Sequence, residues 1–115
     1  MEYKIRLANG MEINATLEAA DVKDLGGKLN QDEIRALTIG TFSIAKNALL
    51  NIVPVSETGN VEITTSDNQR LLIQDDKYNA ANYSAQINSG VPFCVFGNSI
   101  ISSRNYFMAR PITHA

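Results

Sequence analysis

One cysteine, one histidine and no tryptophan occur among these 115 residues, and each shortage excludes some chemistry. A lone Cys94 has no partner for an intramolecular disulfide, which fits a reducing compartment. Its neighbours in VPFCVFG are apolar, whereas a nucleophilic thiolate needs a basic or polar setting. Cys94 therefore reads as a small core residue. His114 stands one residue from the last, where a chain frays too readily to hold a general base in register. One His and one Cys also fall short of a four-ligand zinc site. The adjacent pairs Asp32-Glu33 and Asp75-Asp76 lack the spacing of a calcium loop and read as solvated loop and helix cap. Neither Gly-rich phosphate motif occurs. Gly26-Gly27-Lys28 is only an echo of one, and it marks a helix break or close packing. No catalytic constellation, metal or cofactor is expected.

Long apolar runs are missing as well. The longest hold five or six residues, against the ~20 that a membrane span requires. MEYKIRLANG carries charge where a signal peptide has an apolar stretch. A soluble, cytoplasmic protein with no membrane partner is expected. Ten Lys plus Arg against twelve Asp plus Glu give a net charge of −2, without the clustered cations of a nucleic-acid footprint.

The chain repeats its own phrasing instead. GTFSIAKNALLNIVPV and GNSIISSRNYFMARPI share a Gly, a Ser-Ile pair, a polar stretch, an apolar run and a final Pro with a β-branched residue. At an offset of 58, Ile5 falls on Ile63, Asn9-Gly10 on Asp67-Asn68 and Ile13 on Leu71. Small slips then place Ser43-Ile44 on Ser99-Ile100 and Pro54-Val55 on Pro111-Ile112. In each copy an alternating strand, with Tyr3, Ile5 and Leu7 on one face in the first, meets a turn and a returning strand. Asn9-Gly10 suits a two-residue hairpin turn. A helix follows, striped by Val22, Leu25 and Leu29 in the first copy and by Ala80, Tyr83 and Ile87 in the second. Asp21 or Thr16 could cap the first helix. Two more strands close each copy, near 35–45 and 48–55, and near 91–101 and 105–112.

The expected fold is α+β: two tandem β-β-α-β-β half-domains, 1–58 and 59–115, sharing one core about a pseudo-twofold axis. It has antiparallel sheets and two short helices, with SETGN as the linker. A unit of this size alone is marginal, so the halves complete one another.

Charge is also absent locally. From Tyr78 to Ser103 there is no Asp, Glu, Lys or Arg. One reading is a helix and two central strands with neutral loops. The other is a contact surface, since interface centres exclude charge and favour aromatics. On that reading Tyr78, Tyr83, Phe96, Ser99, Ile101 and Tyr106 are the interface residues. Thr64-Thr65-Ser66 and the run from Ser99 to Ser103 lack the Lys and Pro that blunt sheet edges, so they suggest edge pairing in a homodimer. Arg70, Arg104 and Arg110 are candidates to hold an anion in the groove between the copies.

The functional expectation is a non-enzymatic binding or regulatory protein acting through a protein surface, with an unidentified protein partner. An inhibitor of a host protein encoded by a phage or other mobile element is one form of it. The alternative is a binder of a small anionic ligand, a nucleotide or metabolite, in the groove between the repeats.

Overall fold

The computed structural model describes residues 1–56 and 58–112. His114 lies outside the described residues. Strands β1 (Glu2–Leu7) and β2 (Glu12–Thr16) form the first hairpin, and helix α1 (Ala19–Leu29) follows. Strands β3 (Ala36–Ile39), β4 (Phe42–Ala45) and β5 (Leu49–Pro54) complete the first half. The second half contains β6 (Val61–Thr65), β7 (Arg70–Ile73), α2 (Ala80–Asn88), β8 (Phe93–Phe96), β9 (Ser99–Ser102) and β10 (Tyr106–Pro111). The class is α+β, with two helices and antiparallel strand pairs.

The expected strand 35–45 is a hairpin, because Gly40 takes a positive φ of 60° and turns the chain back between β3 and β4. Likewise 91–101 divides into β8 and β9 at Gly97. Three strands therefore follow each helix, where two were expected. The first turn is also longer than Asn9-Gly10 suggests. Leu7 and Met11 close it, as the Leu7 N–H donates to Met11 O at 2.9 Å, and of its residues only Gly10 has positive φ. The β6–β7 turn is closed in the same way, with Thr65 N–H on Gln69 O and Asn68 at positive φ.

The helix stripe holds for α1, which buries Val22, Leu25 and Leu29. Glu18 is the N-cap of α1, and Asp21 closes a capping box with it by accepting from the Glu18 N–H at 2.9 Å. Neither Gly26 nor Gly27 breaks α1. Gly26 is buried where α1 meets β8, and a Cβ there would fall on Val95 Cγ2. Close packing explains this glycine. In α2 only Tyr83 is buried, and Ala80 faces solvent. The side chain of Asn79 caps α2 by accepting from Asn82 N–H.

Strand order brings the two halves into one sheet. A five-stranded sheet runs β2-β1-β5-β9-β8, so the first half supplies three strands and the second half two. A three-stranded sheet, β10-β6-β7, and the β3–β4 hairpin are separate. Successive residues of β5 and β9 serve opposite clusters: Ile52 and Ile100 pack with α1 and the β3–β4 hairpin, while Val53 and Ile101 pack with β6, β7 and α2. The central sheet is thus buried on both faces between two apolar clusters.

A strand buried on both faces carries no polar alternation. This accounts for the absence of charge in β8 and β9, since β9 is buried at every residue and β8 at all but Val95. The edge assignments fail for the same reason. Ser99–Ser102 is β9, flanked by β5 and β8, and Thr64-Thr65 lie in β6, flanked by β10 and β7. At β8, a true edge, Asn30 pairs its side-chain amide with the Phe93 backbone (2.9 and 3.0 Å), and Gln86 Nε2 donates to Val95 O. Those outward backbone groups are already satisfied. Among the described residues no helix is long and apolar enough to cross a membrane.

Candidate functional site

The four aromatic residues expected at an interface form one ladder inside the molecule. Tyr83 stacks on Phe96 with ring centres 3.9 Å apart, Tyr78 meets Tyr83 edge-on at 4.9 Å, and Phe96 tilts against Tyr106 at 5.7 Å. Tyr83, Phe96, Ser99 and Ile101 are buried and present no side chain to a partner, which corrects the expectation for these four. Tyr78 and Tyr106 are half-buried. Of the uncharged stretch, β8 and β9 are core, whereas α2 is exposed except near Tyr83 and is uncharged all the same.

Burial pushes the phenols of Tyr3, Tyr83 and Tyr106 above their ordinary value of 10.0. At Tyr83 the hydrogen bond it donates to Asp75 Oδ2 (2.6 Å) and the charge of that carboxylate add to the effect. A folded-state pKa above the unfolded one gives stability that is complete below about pH 10 and is lost as pH rises beyond it. Absorbance at 295 nm is therefore expected to rise late, together with loss of structure, and Tyr83→Phe should shift that rise. Tyr3, Tyr83 and Tyr106 titrating near pH 10 in a folded chain would contradict their burial.

A second internal network joins the halves. Asn51 Nδ2 donates to Asn105 Oδ1 (3.0 Å), and Asn105 Nδ2 donates to Asp67 Oδ1 (3.1 Å). The Thr65 hydroxyl also donates to Asp67 and is the main reason its carboxyl lies below the ordinary 3.8. Because Asp67 only accepts, both amides in the chain are oriented by it. Asn51 and Asn105 are buried, so this network fastens β5 to the β9–β10 and β6–β7 turns.

The three arginines expected to hold an anion lie apart. Arg110 is paired with Glu62, its NH2 lying 3.0 Å from Oε1. Arg70 lines a cleft of about 420 Å³ that also contains Glu12 and Glu62. There Glu12 pairs with Lys4 (3.6 Å) and Arg6 (3.7 Å), so the cleft's positive charge is largely answered. Arg70's cleft is lined from both halves, and Arg104 lies in a second groove that is lined from both as well.

That groove is a cleft of about 620 Å³, within the range of small-molecule sites. The first half contributes Asp32, Ile34, Arg35, Lys46 and Asn47. Across from them stand the end of α2 and the approach to β8, with Ile87, Val91, Pro92 and Phe93, and the strand end that carries Ser103 and Arg104. Backbone bonds set the rim. Lys46 N–H donates to Arg35 O (2.8 Å) and Lys46 Nζ to Gln31 O (3.1 Å), which brings two cations together after β4. Arg104 NH2 donates to Asn47 O and to Leu49 O (3.4 Å), tying the second half to the first. Ser103 Oγ donates to Val91 O (2.6 Å) and fixes the opposite wall.

Among the described residues no carboxylate pairs with Arg35, Lys46 or Arg104. Asp32 is the one acid lining this cleft. Nothing in the sequence singles out Arg35 and Lys46, each an isolated cation between apolar runs. Only the fold around the β3–β4 hairpin sets them beside Arg104. The chemistry available is charge and apolar surface. Cys94, buried with its thiol pushed up by burial, is not a cleft residue. Among the described residues no cluster of three or more His, Cys, Asp or Glu could hold a metal ion. No known protein family, curated protein or solved structure matches the chain.

Proposed function

We propose that this chain is a small, non-enzymatic binding protein whose working site is the cleft between its halves, and that the cleft takes an anionic ligand. The observation carrying this reading is that Arg35, Lys46 and Arg104, unpaired by carboxylates among the described residues, all line one cleft of about 620 Å³. The reading includes an internal duplication. The element order β-β-α-β-β-β occurs twice, and the β1–β2 and β6–β7 turns place positive φ at residues 10 and 68, 58 apart. A seam between duplicated units is a favoured place for a pocket.

Thermal denaturation of the full chain with a panel of phosphate, citrate, nucleotides and carboxylates tests it. A ligand at one hundred times its Kd stabilises by about 2.7 kcal/mol, roughly 10 °C in Tm for a chain of this size. At least one anion is expected to do this, and Arg35→Gln with Lys46→Gln should abolish the shift. Equal shifts in wild type and double variant would remove the cleft from consideration.

A second reading keeps a protein surface, a homodimer, but moves it to β10. That strand pairs only with β6 and presents Phe107 (69% exposed) next to Met108 (43%). Native mass spectrometry near 10 µM, besides detecting a retained ligand, would then give twice 12.6 kDa, falling to the monomer in Phe107→Ser. A monomer in the wild type ends that reading.

A further inference from the structure

We infer that the ligand of this cleft is an amphipathic organic anion, a carboxylate or phosphate carried on an apolar body, and not a small inorganic ion. The inference rests on the anionic reading of the cleft given above. It follows from what the two walls can each contribute. The rim cations stand in water: Arg35 and Arg104 are exposed and Lys46 is half-buried. An exposed ion pair changes an equilibrium by about fivefold at most.

Part of the rim's donor capacity is also already used. Arg104 NH2 serves two backbone carbonyls, and one Lys46 N–H serves Gln31 O. Stripping a phosphate ion of its hydration needs several converging donors, and this rim lacks them. Arg104 is therefore a positioning residue that holds the halves at the cleft's width, and Arg35 and Lys46 are the groups left to meet an anion.

The opposite wall supplies the rest. Ile87, Val91, Pro92 and Phe93 are its apolar lining, and Ile34 adds apolar surface beside Arg35. Each ligand methylene buried there is worth about fourfold in affinity. A ligand reaching from Arg35 to this wall gains from both sides, and one with charge alone or an apolar body alone gains from one.

Amide NMR titrations of the full chain with acetate, butanoate, hexanoate and octanoate, and with 1-octanol and inorganic phosphate, decide it. Affinity is expected to climb about fourfold for each methylene the wall covers. Octanoate should bind tighter than octanol, by up to about fivefold for each cation it meets, and shifts should centre on Val91, Phe93 and Ser103. Arg35→Gln should weaken octanoate and leave octanol unchanged. If acetate or phosphate binds as tightly as octanoate and loses affinity in Arg35→Gln, the amphipathic ligand is overturned while the anion cleft survives. If octanoate and octanol bind alike, or no anion shifts these amides, both fall.

Discussion

Phe96→Ala is expected to destabilise the protein by about 3–5 kcal/mol, the range for deleting a fully buried aromatic ring. That lowers Tm by roughly 15 °C in a chain of this length. The ring is 0% exposed and lies between Tyr83 and Tyr106, so its removal opens a cavity lined by rigid rings. Tyr83 is held from its other end by Asp75 and cannot slide in to fill the space. Phe107→Ala removes the same atoms from an exposed site and should stay within about 0.5 kcal/mol. Thermal melts of the two variants check the pair. Equal effects would mean that the aromatic ladder is not core, and the surface reading of Phe96 would return.

The second large effect is expected at Gly97, in the turn between β8 and β9. Its φ is +57°, and a Cβ there would collide with the Gln74 carbonyl and lie 3.0 Å from Asp75 Cα. The hairpin tip docks on that segment, with Asn98 N–H donating to Gln74 O at 3.3 Å. Gly97→Ala thus combines the left-handed penalty of about 1–2 kcal/mol with a backbone displacement. A total loss of at least about 3 kcal/mol is expected, enough to undo much of a typical domain's stability. Gly40→Ala isolates the first contribution. Gly40 has φ +60° in the β3–β4 hairpin, and nothing lies within 4 Å of the added Cβ. Chemical denaturation of both variants measures the difference, and an equal loss at the two sites would refute the docking of the β8–β9 turn.

Part of this architecture is legible in the amino-acid sequence. Alternation at Tyr3, Ile5 and Leu7 and the i, i+3, i+7 stripe of α1 depend only on local geometry, and both elements form. Gly40 and Gly97 are harder to read as turns. A short apolar run on either side of a turn has the period of one longer strand, so each hairpin resembles a single strand. The candidate site is hardly legible at all. Arg104 stands out for its charge alone, while Arg35 and Lys46 are separated from it by half the chain. Bonds from Lys46 to Arg35 and Gln31, and from Arg104 to Asn47 and Leu49, set them in one cleft. The aromatic residues can be grouped from the sequence, but their setting cannot: an uncharged aromatic stretch suits a core and an interface equally well.

Sequence by itself determined the first hairpin of each half, the two helices, and that residues 78–103 carry no charged side chain. These properties arise from near neighbours, the pleat, the helical period and the freedom of a few turn residues. Tertiary structure decided that β8 and β9 leave their own half to extend the sheet of the first. It decided too that their uncharged faces turn inward, and that three scattered cations line one cleft. Sheet order depends on pairing between distant segments, which is selected by burial on both faces at once. No local pattern records which partner a strand will take.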